Sequence, residues 1–189
     1  MKNEILFKAY DEAYSKKFGS LECIDIGCSQ CEKDVEFVVL LPHEEEYIES
    51  RTGKKVVTQD VHVGDSIIKI MPLPCSFMKD EKCTIHSDRP MMCRNYPYYV
   101  DPIEGEVKIS LDSLCPLAEG LAKDDSRQQE FKQVWGKLAT VIGEDFFLKM
   151  KMSSELWMHG RESVKTIEKF KDSKNAGISI DIHLKKSGS

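Results

Sequence analysis

The sequence predicts an α+β protein in which short strands surround a small, irregular, cysteine-rich segment, with helices following at the C-terminal side. Three observations carry this. Apolar residues recur at helical spacing near the N-terminus and again beyond Ser126, and β-branched runs flanked by turn residues fill the middle. Between them Pro74–Pro97, PCSFMKDEKCTIHSDRPMMCRNYP, keeps neither period. Prolines bracket that segment and interrupt it at Pro90, so a hydrogen-bond ladder cannot hold it throughout. It carries Cys75, Cys83 and Cys93, and thiolates on a metal are the natural fastener, which makes the expected fold a metal-organised domain.

Composition narrows the classes. An apolar fraction of 41% beside 31% charged residues is that of a globular chain, neither disordered nor membrane-embedded. A net charge of −5 leaves no basic field for a nucleic-acid partner, and Lys185-Lys186 reads as a solvated tail. Charges run through MKNEILFKAYDEAYSKKF, so neither a signal peptide nor a membrane span is expected there. The expected compartment is the cytoplasm. Seven cysteines, an odd number in a reducing compartment, fit metal ligation better than a disulfide framework.

In chain order, residues 2–18 form an amphipathic helix with Ile5, Leu6, Ala9, Tyr10, Ala13 and Tyr14 on one face, stopped by Gly19-Ser20. Val35–Leu41 is a buried strand. Pro42 and Glu44–Glu46 open a short helix through Arg51, where the acids suit a solvated first turn better than a carboxylate metal site. Lys55–Val63 and Ser66–Met71 are strands around a turn at Gly64-Asp65. Tyr98–Val100 and Val107–Leu111 are extended pieces separated by Gly105, and a helix begins at Cys115-Pro116. Phe131, Val134, Trp135, Leu138, Val141 and Ile142 make a helical stripe. Further helix is expected over Phe146–Met152 and Ser154–Lys171, and an edge strand over Ile178–Leu184. Met150, Met152 and Met158 read as flexible core fillers before a soft-metal site. The expected division is a cysteine-cluster domain with its N-terminal helix at 1–125 and a helical extension packed on it at 126–189.

The cysteines fall in two groups. Cys23, Cys28 and Cys31 give C-x4-C-x2-C, whose inner step is the usual zinc knuckle and whose whole spacing also suits an iron–sulfur cluster. Cys75, Cys83, Cys93 and Cys115 supply four more thiols. Seven can close one four-ligand site and are one short of two. An eighth ligand would come from His86, with Asp34 and His43 as weaker candidates; the competing reading of His86 is a turn residue bonded to backbone. Arg89 and Arg94 flank the thiolates in sequence. Arg94 reads equally as a donor to sulfur or as the partner of a carboxylate such as Asp88 or Asp101.

Cys83-Thr84-Ile85-His86-Ser87-Asp88-Arg89-Pro90-Met91-Met92-Cys93-Arg94-Asn95-Tyr96-Pro97, with Cys115-Pro116 after it, resembles the core of the YkgJ-like cysteine-cluster (CxxCxxCC) family. In that family Cys-Thr-Ile-Tyr-x-x-Arg-Pro-x-x-Cys-Arg-x-Tyr/Phe-Pro follows an N-terminal cysteine cluster. Here His86 stands in place of the tyrosine, and Asp34-Val35 in place of the paired cysteines after Cys28 and Cys31. The resemblance covers about Cys23 to Cys115. It implies zinc or iron ions, or an iron–sulfur cluster, held by Cys23, Cys28, Cys31, Cys75, Cys83, Cys93 and Cys115.

Three roles follow as expectations: a metal-binding module with a structural or redox role, an iron–sulfur enzyme, or a protein-partner module with a purely structural metal. The enzyme reading draws on a distant likeness to flagellin lysine N-methylase, taken to be an iron–sulfur methyltransferase. No G-x-G-x-x-G turn for a nucleotide or adenosyl cofactor stands in the chain to support methyl transfer. The partner reading expects Trp135 and Trp157 on an exposed apolar face.

Overall fold

A computed structural model describes residues 2–16, 37–63, 66–103, 106–148 and 164–166. Its α+β class is that expected. Helix α1 (Lys2–Ser15) precedes strand β1 (Phe37–Val39) and helix α2 (Glu44–Thr52). Strands β2 (Gln59–Val63) and β3 (Ser66–Pro72) form a hairpin, and β1 pairs antiparallel with the other side of β3. A second small hairpin, β4 (Met78–Lys79) and β5 (Lys82–Cys83), leads to a 3-10 turn at His86–Asp88 and helix α3 (Met91–Asn95). Strands β6 (Tyr98–Ile103) and β7 (Glu106–Asp112) pair antiparallel. Helices α4 (Ala118–Lys123) and α5 (Asp125–Ile142) follow, then a helical turn over residues 144–148.

The first sheet is apolar on both faces, which explains the unbroken run FVVLL. Successive strand side chains point to opposite faces. Phe37, Val39 and Leu41 accordingly join Ile68 and Ile70 in the main core, while Val38 and Leu40 join Met71 in a second cluster with Ile48, Val56, Phe77 and Ile85. The main core also holds Tyr10 and Tyr14 of α1, Tyr98 and Leu111 of the β6–β7 hairpin, and Phe131, Trp135 and Leu138 of α5. The predicted α5 stripe is therefore the face that packs. Asp124 caps α5 by accepting from the Arg127 N–H at 2.9 Å, and buried Gln128 donates to the Leu121 and Ala122 carbonyls at the end of α4.

Four expectations need correction. Val164–Thr166, placed within a helix over Ser154–Lys171, forms strand β8, which pairs antiparallel with Ser110–Asp112 at the open edge of β7. An exposed sheet edge overrides local helical pattern here. The helix expected from Cys115-Pro116 starts at Ala118, after turns through 113–117. Glu44, read as solvated, is fully buried. Pro74–Pro97 contains regular structure after all, in β4, β5 and α3, and the prolines bracketing it follow cis peptide bonds at Leu73-Pro74 and Tyr96-Pro97. Of the remaining expectations, the Ile178–Leu184 strand, Met150, Met152, Met158 and Trp157 lie outside the described residues. No helix among the described residues is long and apolar enough to cross a membrane.

The β4–β5 turn is made by Asp80 and Glu81, both with positive φ (50° and 59°). Such two-residue turns need a left-handed backbone at both positions, which costs a glutamate on the order of 1 kcal/mol. Glu81→Gly is therefore expected to raise the melting temperature by about 2–4 °C. An unchanged or lower midpoint in a thermal scan would show that Glu81 makes a compensating contact.

Candidate metal centre

The cysteine-rich segment is shaped by its own backbone before any side chain is considered. The Cys75 carbonyl accepts from the Met78 N–H at 3.0 Å, and Met78 lies directly across the hairpin from Cys83. The Thr84 N–H and hydroxyl both donate to the Phe77 carbonyl, at 2.8 and 2.9 Å, and close the mouth of the hairpin. Cys75 and Cys83 thus flank one small loop. Ile85 then drops into the second apolar cluster.

Arg89 holds the next turn. Its guanidinium donates to the Cys93 carbonyl at 3.2 Å and to the His86 carbonyl at 3.0 Å, and it also meets His86 Nε2. Burial, with the Arg89 and Arg94 charges beside it, lowers His86 to about 4, so its neutral ring can accept that proton. His86 matches the turn-residue reading in position, and its Nε2 faces an arginine. Pro90 leaves Arg89 extended and starts α3, as its fixed φ predicts.

Helix α3 carries Cys93 and is buried along most of its length. Met91, Arg94 and Asn95 are inaccessible, and Met92 packs against both apolar clusters. Asn95 Oδ1 accepts from Trp135 Nε1 at 3.0 Å, so the indole of α5 is buried against the cysteine helix. The Met91 N–H donates to Glu44 at 2.6 Å; the same carboxylate accepts from Tyr14 Oη and the Leu41 N–H, both at 2.9 Å. Burial raises Glu44 to about 7 against the pull of those three donors. Arg94 donates to three backbone carbonyls, those of Ser87, Tyr14 and Lys16.

Cys75, Cys83 and Cys93 all pack against the second apolar cluster and are partly exposed. Cys115 is buried in a separate cluster with Tyr96 and Ala118. Within that cluster the backbone ties Cys115 to the end of the cysteine-rich segment: the Asp112 N–H donates to the Pro97 carbonyl at 2.9 Å, and the Cys115 N–H donates to the Asp112 carbonyl at 3.2 Å. Among the described residues no three Cys, His, Asp or Glu side chains converge as a metal site. Cys23, Cys28, Cys31 and Asp34 lie outside the described residues. Cysteine sulfur as a donor suits a borderline-soft ion such as zinc or iron.

A model of the family described as "CxxCxxCC: Putative zinc- or iron-chelating domain" matches residues 22–119, just over half of the chain and a span that contains every cysteine. The chain belongs to the CxxCxxCC family. No curated protein and no solved structure matches it. The structure gives the residues of this CxxCxxCC protein's motif concrete work: Thr84 closes the hairpin, Ile85 seats it, Arg89 wraps the turn and Pro90 starts α3, while Asn95, at an unspecified position of the motif, locks α3 to α5. Sequence reasoning missed Glu44, Tyr14, Asn95 and Trp135 as supports of the cysteine helix.

Proposed function

We propose that this protein chelates a zinc or iron ion through a closed set of cysteine thiolates, drawn from Cys75, Cys83 and Cys93 together with Cys23, Cys28 and Cys31, and completed by Cys115. One observation supports the assembly. The segment 17–36, which contains the three N-terminal cysteines, leaves α1 at Lys16 and re-enters at Phe37. Lys16 is bonded to Arg94, next to Cys93, and Phe37 pairs with Pro72, three positions before Cys75. Both ends of that segment are thus tied to the chain that carries the other thiols, and little further loop-closure entropy opposes bringing them together.

Such a site holds irregular backbone in place, and many thiols favour a closed structural or redox centre over a catalytic one with an open position. Bound metal would supply the cross-link between the two cysteine groups.

Anaerobic purification with metal analysis and a visible spectrum tests this. Stoichiometric zinc or iron is expected. Colourless protein with zinc, and no iron or acid-labile sulfide, would exclude an iron–sulfur centre. Protein that binds neither metal when offered either would refute the reading altogether.

A further inference from the structure

Strand β8 is a weak occupant of the sheet edge that it covers. Val164, Lys165 and Thr166 pair with Asp112, Leu111 and Ser110 at the end of β7, whereas β6 pairs with β7 along the whole of Tyr98–Ile103. Among the described residues, Glu106–Ile109 has no strand partner on the β8 side. The sequence around β8 has a helical period, so local preference works against the pairing. The register adds a third conflict. Residues directly opposite in an antiparallel pair share a face of the sheet. Tyr98, Leu111 and position 165 therefore form one row, and Tyr98 and Leu111 are both buried in the main core. The row ends on a lysine, a residue depleted from strands and almost never fully buried without a partner.

We propose that the β7 edge is a strand-addition site for a partner protein, and that β8 is an internal placeholder which the partner displaces. The partner supplies an extended segment antiparallel to β7, with an apolar, β-branched residue where the chain itself has Lys165. Main-chain hydrogen bonds give such complexes their affinity, and alternate side chains give them specificity. Val107, Ile109 and Leu111 all pack in or against the main core, so the positions opposite them favour apolar residues. Lys108 between them is exposed, so the intervening position favours a polar one. The incoming segment can pair along all of Glu106–Asp112, where β8 covers only Ser110–Asp112. The longer ladder and the apolar residue together favour the partner over β8. This inference stands apart from the chelation proposed above.

Two synthetic peptides test it on the full-length protein: residues 160–170 of the chain itself, and the same segment with Lys165→Val. The valine peptide is expected to bind the wild type roughly 10-fold more tightly, the ratio for one apolar side chain gained in a largely buried place. It is also expected to slow hydrogen exchange over Val107–Asp112. Equal affinity of the two peptides, or binding by neither, would overturn the proposal, and neither measurement needs a variant to fold. Protection elsewhere with none on β7 would overturn it too. Protein variants then test displacement. Lys165→Val makes β8 the better occupant and should weaken binding of the valine peptide. Lys165→Asp places a short acid there, without a long stem to carry its charge to water, and should strengthen it. Wild-type affinity in both variants would mean that β8 and the peptide do not compete. A wild type that dimerises on concentration, with the β7 amides protected only in the dimer, would give the edge to a second copy and refute the partner.

Discussion

Cys83→Ser and Cys93→Ser are each expected to lose the metal and cooperative unfolding together. Cys83 ends a strand of only two residues, and Cys93 sits on a helix of five. Neither element is long enough to persist alone. Structural zinc contributes on the order of 10 kcal/mol of apparent folding free energy in small zinc-finger peptides, which is comparable with the whole stability of an ordinary domain. Metal content and the unfolding transition, measured on the same preparations, check this; full metal retention in both variants would place the site elsewhere. As a proposed ligand, Cys115 should behave the same way. If Cys115→Ser keeps its metal and loses only slight stability, that cysteine serves the Tyr96 cluster alone.

Glu44→Leu should be nearly as damaging for a different reason. The substitution leaves the Leu41 and Met91 N–H groups and the Tyr14 hydroxyl without their acceptor in a buried place. A buried donor left unsatisfied costs about 1–3 kcal/mol. Three of them add to roughly 3–9 kcal/mol, a large part of a domain's stability. A denaturant midpoint close to the wild type would mean that water or another side chain replaces the carboxylate.

The same residue gives a pH signature. Glu44 is raised from 4.5 to about 7, so between those values the folded state holds a proton that the unfolded chain has released. Stability from this group is fully present below about 4.5 and is lost as pH rises through about 7. The stability of the wild type relative to Glu44→Gln, which cannot ionise, should therefore decline by on the order of 3 kcal/mol across that window. Thiolate protonation is common to both proteins and cancels in the difference. A flat difference would show that the three donors keep Glu44 ionised throughout.

The sequence made some of this structure legible and hid the rest for physical reasons. Strands β1, β3 and β7 announced themselves through β-branched runs, as did β2, which starts at Gln59 and not at Lys55, and α5 announced itself through its apolar stripe, because local pattern and final environment agree there. The β4–β5 hairpin did not. Met78–Cys83 has no alternation, and its turn is built from left-handed Asp80 and Glu81 where glycine or asparagine would have signalled it. Strand β8 is a tertiary event at the edge of β7, invisible to any window of sequence. Cysteine number and spacing pointed to metal because few other uses of clustered thiols fit. Glu44 could not be found this way: an acid in the first turn of a helix ordinarily faces water, and its partners Tyr14 and Met91 lie 30 and 47 positions away.

The sheet β1–β3–β2 carries a consequence of its own. Along 37–41 the odd-numbered side chains belong to the helical side of the molecule and the even-numbered ones, Val38 and Leu40, to the side where Cys75, Cys83 and Cys93 pack. Parity of position therefore decides which half of the protein a substitution disturbs. One strand of backbone serves as a partition, and Met92, which packs against both clusters, is where the two halves still meet.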